Sequence, residues 1–284
     1  MKIARFMKDG RSGLAVAKEH EFRGLFLDEI DGAGDLQEVL ELGRDAVSKW
    51  SAQLLRGVPI DLEEVDVRPP LVAPEKIICI GLNYIDHSNE TGFVAPDYPT
   101  IFSRFNSSLI GHDDPIVRPR TSVQLDYEGE IAIVIGKGGR GIPTSSALDH
   151  VFGYALFNDA SLRDYQTRTP QWTIGKNFDG TGAFGPYIVT ADELPDGAKD
   201  INLQTRLNGE VVQHGNTKDL IFDVPTLIST LSEVMTLSPG DIIVSGTPAG
   251  VGVARKPPLW MKPGDECVVS ADGLGILRNR VVDA

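Results

Sequence analysis

The chain has 284 residues, enough for one large core plus a small appendage, and its 41% hydrophobic and 24% charged residues are ordinary for a folded globular chain. Its formal net charge of -13 repels phosphate backbones and anionic lipid surfaces, which argues against nucleic-acid and membrane partners. No apolar run approaches the ~18 residues of a membrane span, and Met1-Lys2-Ile3-Ala4-Arg5 lacks the apolar stretch of a secretion signal, so the expected location is the cytoplasm.

Residues 1–67 read as a small N-terminal α/β domain. Apolar stretches at Ile3–Phe6, Leu14–Ala17 and Phe22–Phe26 come first. Asp35, with Glu38 three residues on, resembles a capping box. Val39, Leu42, Ala46, Val47, Trp50 and Leu54 then recur at helical spacing and predict a helix. Pro69, Pro70 and Pro74 resist helix and sheet alike and mark a linker.

Residues 68–284 read as a second, strand-rich domain. Buried strands are predicted at Lys76–Gly81, Ile131–Gly136, Asp241–Ser245 and Glu266–Ser270. Asn208-Gly209 between Leu207 and Val211 signals a tight hairpin. One helix is expected from Pro225 to Met235 with Asp223 near its cap, another from near Ala160 to Gln166. Strands outnumber helices without regular alternation, so the fold class is α+β, mainly β. Cys79 and Cys267 sit in apolar runs and read as small buried residues, not as a disulfide.

Asp126-Tyr127-Glu128-Gly129-Glu130 runs straight into Ile131-Ala132-Ile133-Val134-Ile135. In a strand, Asp126, Glu128 and Glu130 share one face, where like charges conflict unless a hard cation neutralises them. Water does the same for a solvated edge strand. Gly129 allows close backbone approach there. Asp159 lies where a strand yields to a helix and suits an N-cap. His87 and Glu90, three residues apart, neighbour each other on a helical turn, either as a surface pair or as a base with its carboxylate. Lys176 stands among apolar residues, either snorkelling or set to meet an oxyanion. Gly246-Thr247-Pro248-Ala249-Gly250-Val251-Gly252 follows a strand and offers backbone N–H groups as an anion nest.

As an ordered set, these segments resemble the fumarylacetoacetate hydrolase (FAH) family from about Pro74 to Val282. The set comprises Gly81-Leu82-Asn83-Tyr84 with Asp86-His87 and Glu90, Glu128-Gly129-Glu130, Asn158-Asp159 with Arg163-Asp164 and Gln166, Gly175-Lys176-Asn177-Phe178-Asp179 with Gly185-Pro186, and the Gly246–Gly252 loop. The resemblance implies a mixed β-roll C-terminal domain behind the small N-terminal one, in a homodimer. It implies Mg²⁺ or Mn²⁺ on Glu128, Glu130 and Asp159, with Ca²⁺ as a substitute, and gives Asp126 no ligand role. His87 and Glu90 would activate water from a lid, and Lys176 would steady negative charge. Arg163, Gln166 and Thr247 would bind substrate. Gly180-Thr181-Gly182 departs from the family pattern and suggests a different backbone path or a roomier cavity.

The implied activity is hydrolysis of a C–C bond in a β-diketo acid of the acylpyruvate, fumarylpyruvate or diketo-deoxy sugar acid type, giving pyruvate or a related keto acid. The same site would serve oxaloacetate decarboxylation or isomerisation of a hydroxymuconate-type acid. A non-catalytic, metal-stabilised binding protein is the reading from another class.

Overall fold

The structure, a computed structural model, describes residues 1–18, 21–86, 90 and 97–284. The chain opens with β1 (Lys2–Lys8), β2 (Arg11–Lys18) and β3 (Glu21–Phe26), an antiparallel meander. Asp9 and Gly10, at φ 52° and 76°, make the first turn. Two helices follow, α1 (Leu36–Glu41) and α2 (Arg44–Leu54), where the periodicity predicts one. Gly43 at φ 88° breaks the run, and Leu42 is left 68% exposed instead of facing the core. Asp35 does cap α1, accepting from the Gln37 amide, but its second oxygen pairs with Arg5 and Glu38 closes no box.

Next come β4 (Val58–Ile60), β5 (Asp66–Arg68), β6 (Ile77–Gly81), β7 (Thr100–Arg104), β8 (Leu109–Ile110), β9 (Ile116–Arg118) and β10 (Leu125–Asp126). They are followed by β11 (Gly129–Ile135), β12 (Val151–Asp159), β13 (Ser161–Leu162), β14 (Gly182–Thr190), β15 (Asn202–Leu207), β16 (Glu210–Asn216), β17 (Ile242–Val244), β18 (Glu266–Ala271) and β19 (Gly275–Asp283). The first sheet runs β4-β3-β2-β1-β14-β12-β11-β17-β6-β7, with β5 on β1 and β8 on β14. The second runs β16-β15-β18-β19-β9. Residues 1–68 therefore share a hydrogen-bonded sheet with the rest of the chain, through Lys2 opposite Val189 and Ile3 opposite Ile188.

β11 explains how the layers stack. Its seven residues are all buried, so it reads as a continuous apolar run. Ile131, Ile133 and Ile135 point at the second sheet, meeting Leu203, Val269 and Leu277 and the helix Val224–Val234. Ala132 and Val134 point the other way, into a core shared with Val39, Trp50 and Leu54 of the N-terminal helices. The expected helix from Pro225 is this one, with Asp223 capping it through the Thr226 amide. Asn208-Gly209 makes the β15–β16 turn. No described helix is long and apolar enough to cross a membrane.

Candidate active site

The predicted acids converge at one end of the first sheet, where β11 begins and β12 ends. Glu130 lies in β11 opposite Phe157, and Asp159 is the last residue of β12. Glu128 stands just before β11, held by its amide on the Asn158 side chain and its carbonyl on the Asp159 amide. Oxygens of Glu128, Glu130 and Asp159 all lie within 4.8 Å of one another, and all three residues are buried. Strand alternation does not carry through to Asp126, because the strand breaks at Tyr127–Glu128. Asp126 instead accepts from Arg163 Nε (2.8 Å) and from the Gly252 and Val253 amides. Asp159 is no helix cap. The short helix Arg163–Gln166 starts after Leu162, which provides no side-chain cap.

Lys176 is 1% exposed, so snorkelling is excluded. Its Nζ lies 2.6 Å from both Glu128 Oε2 and Asp159 Oδ2, and 4.9 Å from the centre of the Phe102 ring. Burial alone would lower its pKa, but Asp159 and Glu128 overcome this and the net shift is upward, keeping it an ammonium. Gly175 makes this placement possible. A Cβ there would lie 2.3 Å from the Gln166 amide nitrogen, so the helix Thr173–Lys176 rests directly on backbone.

Arg163 spends its guanidinium inside the site, on Asp126, on Gln166 Oε1 (2.8 Å) and on Glu128 Oε1 (2.7 Å). Thr247 donates to the Gly129 carbonyl and accepts from Gln213. The Gly246–Gly252 loop does bind anions, and they are the protein's own carboxylates. The Gly246 amide donates to Glu130 (2.5 Å), Gly250 to both oxygens of Glu90, and Gly252 to Asp126. His87 lies outside the described residues. Glu90, Gln166 and Thr247 line a cavity of about 460 Å³ together with Glu128, Glu130, Arg163 and Lys176, and Asp159 lies buried behind them. Its apolar wall is Leu82, Phe102, Trp172 and Val253.

Sequence reasoning misses Arg104. Its side chain is wholly buried, Nε lies 2.9 Å from Asp159 Oδ1, and Nη2 donates to the Ala160 carbonyl and Thr181. The signal lies in the alternation of Ile101-Phe102-Ser103-Arg104-Phe105, which puts a basic residue on the buried face with Phe102. Gly182 does not widen the cavity, since the Arg104 guanidinium fills the space beside it, and Gly180 faces Val117.

Four carboxylates (Asp126, Glu128, Glu130, Asp159) thus face three cations (Arg104, Arg163, Lys176). Glu130 forms no ion pair among the described residues, and burial, then Asp159 and Glu128, push its pKa well up. Asp159 Oδ1 is buried and accepts no aligned hydrogen bond. Hard oxygen donors, surplus negative charge and an uncommitted buried lone pair fit a divalent cation.

The fumarylacetoacetate (FAA) hydrolase C-terminal family model matches residues 76–282. The chain is 41% identical over 250 residues to human "Oxaloacetate tautomerase FAHD2A, mitochondrial", covering 87% of this chain and 79% of that protein. It superposes on the fumarylacetoacetate hydrolase of Exiguobacterium antarcticum with a TM-score of 0.87, at 37% identity and full coverage of both chains. It also superposes on maleylpyruvate hydrolase from Sphingobium sp. SYK-6, a structure holding manganese(II) and pyruvate, with a TM-score of 0.80, 32% identity and full coverage of both. With the family model matching most of the chain and the fold superposing over its full length, the chain belongs to the fumarylacetoacetate hydrolase family.

Proposed function

We propose that the chain is a divalent-metal enzyme that forms and protects the enolate of a 2-keto acid, with Glu128, Glu130 and Asp159 holding Mg²⁺ or Mn²⁺. The observation that carries this is the Lys176 ammonium seated 2.6 Å from two of those three carboxylates. A dication beside three cations and four carboxylates leaves the site net positive, which suits an anionic keto acid. When bound, the ion supplies Lewis-acid stabilisation where charge grows on a 2-oxo oxygen. Lys176 gives two of its three N–H donors to Glu128 and Asp159 and keeps one for that oxygen. Leu82, Phe102 and Trp172 exclude water from the same edge. His87, acting with Glu90, takes the C3 proton, and a proton is then delivered to the 2-oxo oxygen, so that the enol forms with no net change in protons.

Keto–enol interconversion of an oxaloacetate-type acid is the first reading, supported by the 41% relative that bears that name. Hydrolytic C–C cleavage of an acylpyruvate is the second. The manganese- and pyruvate-bearing neighbour supports it, and it adds water, activated by His87, as nucleophile. Arg163, Gln166 and Thr247 hold the acid end in either case, Arg163 by fixing Gln166. The protein acts as a homodimer, for which exposed Ile101 on edge strand β7 and Phe105 just after it provide apolar surface. Two free, buried cysteines suit a reducing compartment, whether cytoplasmic or organellar.

The test is a metal-reconstituted assay with two readouts, enol-oxaloacetate decay and pyruvate release from acylpyruvates. Mn²⁺ at about 100 times its dissociation constant should stabilise the fold by about 2.7 kcal/mol. Glu128→Gln should lose both that stabilisation and turnover, while His87→Ala keeps the metal and loses turnover. Full activity of Glu128→Gln in chelator overturns the assignment.

A further inference from the structure

We propose that Arg104 is a positioning residue that fixes the Asp159 carboxylate for its cation, and that Gly182 exists to admit it. This rests on the reading of Asp159 as a metal ligand. Asp159 has two oxygens and two clamps. Lys176 holds Oδ2 at 2.6 Å and Arg104 Nε approaches Oδ1 at 2.9 Å. A carboxylate gripped at one oxygen still turns about its Cβ–Cγ bond, whereas one gripped at both does not.

The grip on Oδ1 is itself held by backbone. Arg104 Nη2 donates to the Ala160 carbonyl at 2.9 Å, the residue next to Asp159, and to Thr181 Oγ1 at 3.1 Å. Thr181 in turn donates to the Phe178 carbonyl, two residues beyond Lys176. The guanidinium therefore ties the end of β12 to the segment that carries Lys176. Its Cζ lies 5.8 Å from the centre of the Phe157 ring, which packs against Phe184 at a tilt of 41°. The Nε–Oδ1 approach is close as an ion pair but off the N–H line, so it orients Oδ1 without consuming the lone pair. Glycine at 182 leaves room for it, since a Cβ there would lie 2.3 Å from Arg104 Nη1 and would push the guanidinium aside.

Charge and position predict opposite effects. Removing the cation would leave more negative charge for a metal ion and tighten binding. Removing the clamp would loosen the ligand and weaken it. Two substitutions keep the charge and disturb only the position. Gly182→Ala displaces the guanidinium tip in a strand whose backbone accepts alanine. Arg104→Lys keeps the cation but cannot reach Asp159, Ala160 and Thr181 together.

The experiment is Mn²⁺ titration calorimetry on chelator-treated parent, Gly182→Ala and Arg104→Lys, with melting temperatures in chelator alongside. Both variants should keep a melting temperature near the parent's and bind Mn²⁺ about 10-fold more weakly, the low end for loss of a residue that orients a ligand. Parent-like Mn²⁺ affinity in both variants overturns the proposal, as does a lower melting temperature with unchanged affinity, which marks a purely structural arginine. A parent that binds no Mn²⁺ removes the metal reading itself, and this proposal with it.

Discussion

Asp126 organises the site without belonging to the acid cluster beside it. It is wholly buried and accepts from Arg163 Nε and from the amides of Tyr127, Gly252 and Val253. Asparagine would present an amide N–H to one of those donors and would remove the charge opposite Arg163. Breaking a buried pair costs about 3–5 kcal/mol, and the lower end applies because Glu128 still faces Arg163. Asp126→Asn should therefore lose about 3 kcal/mol in urea unfolding. It should also lower kcat/KM, because Arg163 sets Gln166 and the loop sets Thr247. A variant that unfolds with the parent would mean the four donors find water instead.

At the scale of elements, β11 carries the argument. Gly129 begins it between Glu128 and Glu130. The close approach it permits is to the second sheet, not between the two glutamates. A Cβ there would lie 2.1 Å from Thr205 Oγ1 on β15 and 3.2 Å from Val269 on β18. Gly129→Ala must push those strands away, an overpacking cost of about 1–3 kcal/mol. It also shifts the carboxylates on either side, so Mn²⁺ affinity should fall with stability in paired urea and calorimetric measurements. Unchanged values in both would show that the second sheet yields freely. Much of this element is legible in the sequence, since an apolar run with acids at its mouth predicts a strand buried on both faces. The strand break at Tyr127–Glu128 is not legible, because it depends on Asp126 finding partners 37 and 126 residues away. Nor is the break between α1 and α2, since Leu42 completes a helical pattern that Gly43 interrupts. Arg104 is harder still. Its reason for being buried is Asp159, on another strand, and the room for it is made by a glycine on a third.

Across the whole molecule, the two sheets and the N-terminal segment meet at the loop Gly111–Asp114. Asn279 of β19 donates to the Gly111 and Asp114 carbonyls, and Arg68 of β5 pairs with Asp114. Arg278 of β19 grips Asp113 through two nitrogens and reaches Glu63. His112 closes the junction by accepting the Arg278 backbone N–H at Nδ1, 3.1 Å away. That bond needs neutral imidazole. Burial lowers the His112 pKa below 6.5 despite the attraction of Asp113. A depressed folded pKa gives stability that is complete above the unfolded value and is lost as pH falls through the folded one. Urea midpoints, measured in chelator, should therefore drop between pH 7.5 and pH 5 more steeply in the parent than in His112→Gln, whose side chain does not titrate. Parallel profiles would show that His112 gains a proton as readily folded as unfolded. A steeper parent profile would locate an acid-sensitive joint where three parts of the chain are tied together, far in sequence from the acids that the same sheets bring into one site.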